Sequence, residues 1–277
     1  MTPLLAVLAV AAGALIGLSL GALGGGGSIL AVPVLVYLLD QSATQATTGS
    51  LVVVGVTSLA GAVSAHRQGN VLLGRGVVFG VVAIGGAAAG ATGAALVSDD
   101  VLLACFAALM LLVGALMAWR RLAHSDPTKP DRGGRPGLDD PIITFSPTFA
   151  CNCPRALKVL VTATVVGLLT GFLGVGGGFL VVPALLLALA LPMTYAVGTS
   201  LVVITITSAS ALVVRAGAGA APDWWLVLAL TIASSIAAVL GARLADRIDT
   251  DKLQGAFTLL VLGVAVYTAA RAFPALL

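Results

Sequence analysis

Residues 17–35 of this 277-residue chain read GLSLGALGGGGSILAVPVL, and residues 167–185 read GLLTGFLGVGGGFLVVPAL. The two stretches align without a gap, and 11 of the 19 aligned positions are identical. Each carries a run of glycines followed by a proline inside a long apolar span. Because glycine weakens a helix by about 1 kcal/mol relative to alanine, each span is predicted to hold a broken helix. Broken helices at corresponding positions of two repeats are typical of membrane transporters.

The composition is that of a polytopic membrane protein. Hydrophobic residues make up 59% of the chain and charged residues 9%, whereas soluble domains have about 25% charged residues. The mean hydropathy is +1.12. Several apolar runs reach the length of about 20 residues that a helix needs to cross a bilayer. The net charge of +3 comes mainly from residues in loops, so we expect a lipid bilayer and no nucleic acid as a partner.

The apolar runs predict an all-α protein of two homologous repeats, each of about four transmembrane helices with the first helix broken at its glycines. Residues 1–122 form the first repeat, residues 123–154 a polar cytoplasmic linker and residues 155–277 the second repeat. Arg67 and Arg215 follow corresponding spans, so the positive-inside rule favours repeats of the same orientation. If the broken segments re-enter the membrane instead of crossing it, this relation changes.

The glycine runs are the first candidate site. Where each helix resumes, near Ser28 and Gly178, the first amides lack a partner within the helix and carry the positive end of its dipole. Such amides can bind an anion without a cationic side chain. The alternative is that small residues only let helices pack closely, and the four-residue spacing of Gly13, Gly17 and Gly21 fits that interpretation.

Hydroxyl residues on the next helix of each repeat are the second candidate. Ser50 and Thr57 recur as Ser200 and Thr207, and all four could donate hydrogen bonds to an oxyanion. The alternative is that these hydroxyls bond to other helices or to carbonyls of their own helix.

Ionisable residues in the middle of a span are characteristic of transport pathways, but none lies clearly at mid-span here. The candidates for a gate or for ion coupling therefore lie near span ends: Asp40, His66, Arg67 and Arg215. The chain has only two histidines and three cysteines, in no pattern typical of a catalytic or metal site. We therefore expect a protein that is not an enzyme and has no metal or cofactor.

The paired glycine segments resemble those of the TauE/SafE family, also called sulfite exporter-like or TSUP proteins. In the first half, the resemblance is carried by Gly17, Gly21, Gly24, Gly26, Gly27, Val32, Pro33 and Gly49-Ser50-Leu51. In the second half, it is carried by Gly167, Gly171, Gly174, Gly176, Gly177, Gly178, Val182, Pro183 and Gly198-Thr199-Ser200. It covers nearly the whole chain.

The resemblance implies a multi-pass protein of a bacterial or archaeal inner membrane that transports small sulfur-containing anions. Sulfite, thiosulfate, sulfoacetate and other organosulfonates are the expected substrates, moved by alternating access, and a homo-oligomer is possible. The alternatives are an anion channel or facilitator for another carboxylate or oxyanion, and a membrane scaffold without transport. The candidate substrate-binding residues are Gly24, Gly25, Gly26, Gly27, Ser28, Ser50, Thr57, Gly174, Gly176, Gly177, Gly178, Thr199, Ser200 and Thr207.

Overall fold

The computed structural model describes residues 3–123, 153–174, 178–188, 191–216, 222–245, 255, 259 and 262–267. Within these residues the chain forms helices and short loops, with no β-strand, which confirms the predicted all-α class. Nearly all of the expected linker lies outside the described residues, as does most of the last expected span. The helices are α1 (Pro3–Leu23), α2 (Ser28–Pro33), α3 (Ala43–Arg67), α4 (Leu73–Ala94), α5 (Asp99–Ala123), α6 (Cys153–Leu173), α7 (Gly178–Ala188), α8 (Met193–Ala216) and α9 (Trp224–Ala245).

Five stretches of the described chain are long and apolar enough to cross a membrane. Two more apolar helices, Asp100–Ala115 and Leu157–Leu173, are shorter. This agrees with the multi-pass class predicted from composition. The five stretches are Val7–Leu38, Ala43–Arg67, Leu73–Ala94, Met193–Arg215 and Trp224–Leu244.

The first of these stretches is a helical hairpin. The glycines 24–27 form a turn of 3₁₀-helix that leads directly into α2, and a π-helical turn follows at Val34–Leu38. Gly27 lies beside α1, because a methyl group added to it would be 2.2 Å from the carbonyl oxygen of Ile16. A helix that continued straight past Leu23 would carry Gly27 away from Ile16 at 1.5 Å per residue. The chain therefore turns back at the glycines instead of crossing as one interrupted helix.

The centre of the bundle is the crossing of α3 and α8, the corresponding helices of the two repeats. A methyl group on Gly55 would be 3.2 Å from Cβ of Ser208, and one on Gly61 would be 3.1 Å from a methyl of Leu201. Residue numbers thus rise along α3 as they fall along α8, so the two helices are antiparallel. The expected common orientation of the repeats is wrong. The physical reason is the hairpin, which adds one traverse of the bundle to the first repeat and so reverses the second.

The first helix of each repeat packs against the third long helix of the other repeat. A methyl group on Gly17 of α1 would be 2.0 Å from the carbonyl oxygen of Ser234 in α9. At the corresponding position of α6, a methyl group on Gly167 would be 2.2 Å from the carbonyl oxygen of Ala83 in α4. These glycines allow backbones to approach closely, which is the structural interpretation considered for the four-residue glycine spacing.

Apart from Arg215, the charged side chains that the structure describes are sorted between the two ends of the bundle. His66, Arg67 and Arg75 lie where α3 ends and α4 begins, at the end of the bundle that also holds Lys158 and Arg243. The opposite end holds the acidic residues Asp40, Asp100 and Asp223. By the positive-inside rule the basic end is expected to face the cytoplasm.

Candidate substrate site

Both α1 and α6 end at a glycine in the left-handed backbone conformation. Gly24 has φ +69° and Gly174 has φ +65°. Left-handed backbone costs other residues roughly 1–2 kcal/mol, and glycine is the usual residue in that conformation just beyond a helix. Both glycines are buried. The sequence therefore encodes each break as a reversal of the chain inside the bundle.

The two breaks touch each other. A methyl group added to Gly25 would lie 1.5 Å from the carbonyl oxygen of Gly178, and one added to Gly178 would lie 2.7 Å from Oγ of Ser28. Because Gly178 begins α7, and the turn that holds Gly25 leads into α2, the starts of these two returning helices lie side by side. Both starts are helix N-termini, so their dipoles bring partial positive charge to one place.

The polar groups of the first break are arranged differently from the expectation. The backbone N–H of Ser28 donates to the carbonyl oxygen of Gly25, and its hydroxyl donates to the same oxygen at 2.7 Å. The backbone amide of Ser28 therefore already has a hydrogen-bond partner. The amides of the first helical turn that could bind an anion belong to residues earlier in the glycine run. Gly26 and Gly27 are buried in this turn. Gly176 and Gly177 lie outside the described residues.

Two of the predicted serines contact the breaks, each from the opposite repeat. Ser50 of α3 donates a hydrogen bond to the carbonyl oxygen of Gly174. Ser200 of α8 lies against Gly24, because a methyl group there would be 2.8 Å from its Oγ. The single hydroxyl proton of Ser50 is shared with the carbonyl oxygen of Thr47 at 2.9 Å, and the hydroxyl of Ser200 donates to the carbonyl oxygen of Val197 at 2.7 Å. Both side chains are fully buried.

The three predicted threonines have other partners. The hydroxyl of Thr57 shares a 2.6 Å hydrogen bond with Ser234 of α9. Thr207 donates to carbonyls of its own helix, that of Val203 at 3.0 Å and that of Ile204 at 3.2 Å. Thr199 accepts a 3.1 Å hydrogen bond from the backbone N–H of Leu72, at the start of α4. These contacts join or brace helices and do not reach the glycine breaks.

Three of the four gate candidates are exposed. Asp40 lies before α3, with φ +52°, and His66 and Arg67 lie in its last turn. They occupy opposite ends of a 25-residue helix. These residues are therefore placed to meet solvent or lipid headgroups on the two sides of the membrane, away from the breaks.

Arg215 is the residue whose position the sequence did not reveal. Its side chain is only 7% exposed. It donates to Oγ1 of Thr47 at 2.8 Å and to the carbonyl oxygens of Gly171 and Phe172 at 3.0 and 3.1 Å. Its Nε has no hydrogen-bond partner in the described part of the chain. The expectation of an arginine at the same end of the bundle as Arg67 is wrong, because α8 is antiparallel to α3.

The guanidinium lies one turn before the second break. Gly171 and Phe172 are in the last turn of α6, and a methyl group on Gly174 would be 2.4 Å from Cβ of Thr47. Carbonyls at a helix C-terminus carry partial negative charge and attract cations. The only sequence signal was an arginine where the first repeat has Ala65, which becomes informative only once the inverted arrangement is known.

The described residues contain no group of three or more His, Cys, Asp or Glu side chains that could hold a metal ion. The polar groups at the breaks are backbone amides and carbonyls, hydroxyls and one guanidinium. Of these groups the amides, the hydroxyls and the guanidinium are hydrogen-bond donors, which can bind and release an anion.

A bundle of apolar helices in which two chain reversals meet at the centre is the arrangement expected of a multi-pass membrane transporter. The chain belongs to the sulfite exporter TauE/SafE family, whose model matches residues 9–268. The resemblance seen in the glycine segments is thereby confirmed.

Relatives agree with this class. Proteins from Xylella fastidiosa strains Temecula1 and 9a5c, each named "Probable membrane transporter protein", are 30% identical to this chain over 273 residues. Each alignment covers 98% of this chain and 97% of the relative. "Probable membrane transporter protein YunE" of Bacillus subtilis is 28% identical over 255 residues, which cover 89% of this chain and 88% of that protein. No solved structure matches the chain.

Proposed function

We propose that this protein is a secondary transporter that moves small sulfur-containing anions across a bacterial or archaeal inner membrane by alternating access. Sulfite, thiosulfate, sulfoacetate and other organosulfonates are the proposed substrates. The family description supports a sulfur oxyanion. The glycine breaks support an anion of small size, because they offer backbone amides rather than a large pocket.

The observation that carries the proposal is the contact between Gly25 and Gly178. It brings the N-termini of two returning helices, one from each repeat, to the same place inside the bundle. Discontinuous helices whose N-termini point at an anionic group near the bilayer centre are a common arrangement in transporters. The amides of Gly25 and Gly26 and those of residues 176–178 would bind the anion when the two breaks separate.

The serines extend this site. Ser50 and Ser200 contact the break of the opposite repeat, so each could rotate its hydroxyl from a carbonyl towards an anion. A hydroxyl donor satisfies an oxyanion without placing a second charge in the membrane. This pairing also couples the two repeats, since movement of either hairpin changes the surroundings of a serine on the other.

The closed centre favours a carrier over an open channel. The described residues of both breaks and both serines are buried, and the touching backbones leave no room for an anion in this conformation. A carrier must pass through such closed states, in which neither side of the membrane reaches the site. Because the two repeats are inverted, each can adopt the conformation that the other had before. This change would open the site first to one side of the membrane and then to the other.

The test is uptake into vesicles reconstituted with the purified protein. We expect uptake of radiolabelled thiosulfate or sulfite that saturates, and accelerated exchange when unlabelled anion is inside. A channel would give flux without this counterflow, and a scaffold would give no flux of any anion. Either result would refute the carrier.

Substitutions at the serines would locate the site. Ser50→Ala removes a hydroxyl that contacts the second break, and we expect it to raise KM for thiosulfate several-fold. Thr92→Ala is the matched control, because this exposed hydroxyl donates to the carbonyl oxygen of Ala89 in its own helix and contacts neither break. Equal KM values for Ser50→Ala and the wild type would refute the assignment of this serine.

A further inference from the structure

We propose that the guanidinium of Arg215 binds the negative charge of the transported anion, so that the substrate site has a cationic subsite beside the second break only. This inference rests on the proposed function and names one of its binding groups. The three oxygens that contact the guanidinium, from Thr47, Gly171 and Phe172, are all uncharged.

The charge of this arginine is not balanced within the described residues. The chain contains no glutamate, and none of the aspartates whose exposure the structure describes is buried. The hydrogen bonds of Arg215 go to a hydroxyl and two carbonyls and involve no carboxylate. Burying an unpaired charge is costly, and ionisable groups inside membrane proteins usually mark a transport pathway. The carbonyls at the end of α6 supply only partial negative charge. An anionic ligand would complete the balance.

A purely structural role for the arginine is disfavoured by the first repeat. There, α1 ends at Gly24 in the same left-handed conformation as Gly174. The positions that correspond to Arg215 and Thr47 are occupied by Ala65 and Val197. The first break therefore forms without a guanidinium and without a hydroxyl at the position of Thr47, so the fold of a break requires neither of these two groups.

The location of Arg215 also argues against a role in setting topology. The other described basic side chains lie at the end of the bundle where α3 terminates. Arg215 is in the last turn of the antiparallel α8, at the acidic end, where the positive-inside rule gives no reason for a cation. Its unpartnered Nε leaves a donor for a ligand.

This arrangement predicts which anions bind well. A planar guanidinium can bind two oxygens of one oxyanion, as sulfite and thiosulfate provide. Taurine carries an ammonium as well as a sulfonate, and no buried carboxylate is present among the described residues to balance that ammonium. We therefore expect sulfite and thiosulfate to compete strongly with labelled thiosulfate, and taurine to compete weakly.

The experiment measures equilibrium binding of labelled thiosulfate to the full-length protein in lipid nanodiscs. Hydrogen bonds to charged groups are the strong ones, so we expect Arg215→Gln to weaken binding by about tenfold to hundredfold. Arg215→Lys keeps the charge but loses the paired N–H donors of the planar guanidinium. Its affinity for thiosulfate should lie between those of Arg215→Gln and the wild type. Arg243→Gln, an exposed arginine at the opposite end, is the control and should bind as the wild type does.

A histidine variant separates binding from folding. Arg215→His should bind thiosulfate at acidic pH and lose that binding as the imidazole deprotonates with rising pH. Thiosulfate itself stays a dianion throughout that range. A structural arginine would change the unfolding temperature of the variants without this pH dependence of binding.

The outcomes are distinct. Two results would overturn the arginine subsite without contradicting the proposed transport function. One is a folded Arg215→Gln protein with wild-type affinity, and the other is an Arg215→His protein whose binding is independent of pH. Should the Arg215 variants fail to fold, Thr47→Val keeps the charge and removes one of its partners. Unchanged affinity in that variant would also overturn the subsite. Wild-type protein that binds no anion would overturn both the subsite and the proposed function.

Discussion

The contact between the two breaks makes Gly25→Ala the sharpest test of the site. Alanine is the smallest possible addition, and in an ordinary helix it would be favourable by about 1 kcal/mol. Here its methyl group would lie 1.5 Å from the carbonyl oxygen of Gly178 and 1.8 Å from the carbonyl carbon. Both are backbone atoms, so no side-chain rotation can relieve the overlap.

The added methyl group would force the backbones at Gly25 and Gly178 apart. Non-bonded carbon atoms pack at about 3.5–4.0 Å, so the two backbones must separate by about 2 Å. Overpacking of this kind costs about 1–3 kcal/mol. A displacement of about 1 Å in groups that position a substrate can reduce a rate by about 100-fold. We therefore expect Gly25→Ala to reduce thiosulfate transport at least tenfold while the protein still inserts into the membrane.

Two measurements check this expectation. Vesicle uptake gives KM and maximal rate, and size-exclusion chromatography after heating gives the stability of the detergent-solubilised protein. Gly85→Ala is the matched control, because an added methyl group there meets no atom of the described residues within 4 Å. Its stability should be unchanged or higher by up to about 1 kcal/mol. If Gly25→Ala had the rates and stability of Gly85→Ala, the proposed contact between the breaks would be refuted.

Three further predictions concern the bundle. In a cysteine-free background, single cysteines at Asp40 and His66 should react with an impermeant thiol reagent from opposite sides of the membrane. Labelling of both from the same side would contradict the fold. Removing the hydroxyls of Thr57 and Ser234 singly and together should show a coupling of about 0.6 kcal/mol, the usual value for interhelical hydrogen bonds in membranes, and strict additivity would show that their 2.6 Å contact adds nothing. Gly174→Ala should destabilise the protein by at least about 1–2 kcal/mol, because φ is +65° there and alanine is strained in the left-handed region; a stability equal to the wild type would contradict this backbone conformation.

The breaks could be predicted from sequence because their causes are local. A glycine run weakens a helix wherever it occurs, and a left-handed helix end requires glycine at Gly24 and Gly174. Composition and the length of apolar runs likewise determine the membrane class. The close-packing interpretation of Gly17 could be proposed from spacing alone, although its partner Ser234, more than 200 residues later, could not.

The orientation of the second repeat depends on whether each glycine break reverses the chain, which hydrophobic periodicity does not reveal. A glycine break can interrupt a crossing helix or reverse the chain, and both have the same hydropathy. The positive-inside rule counts basic residues, and it misplaced Arg215 because a buried arginine looks the same as a topology signal in sequence.

The sequence by itself determined that this is an all-α membrane protein with two glycine breaks at corresponding positions, because helix propensity and hydrophobicity act over short stretches of chain. Only the tertiary structure decided that the breaks touch at Gly25 and Gly178, that the central helices are antiparallel, and that Arg215 lies buried beside the second break. These facts depend on which backbones approach one another across about 150 residues of chain. That approach is set by packing of the whole bundle and by the direction in which each hairpin returns.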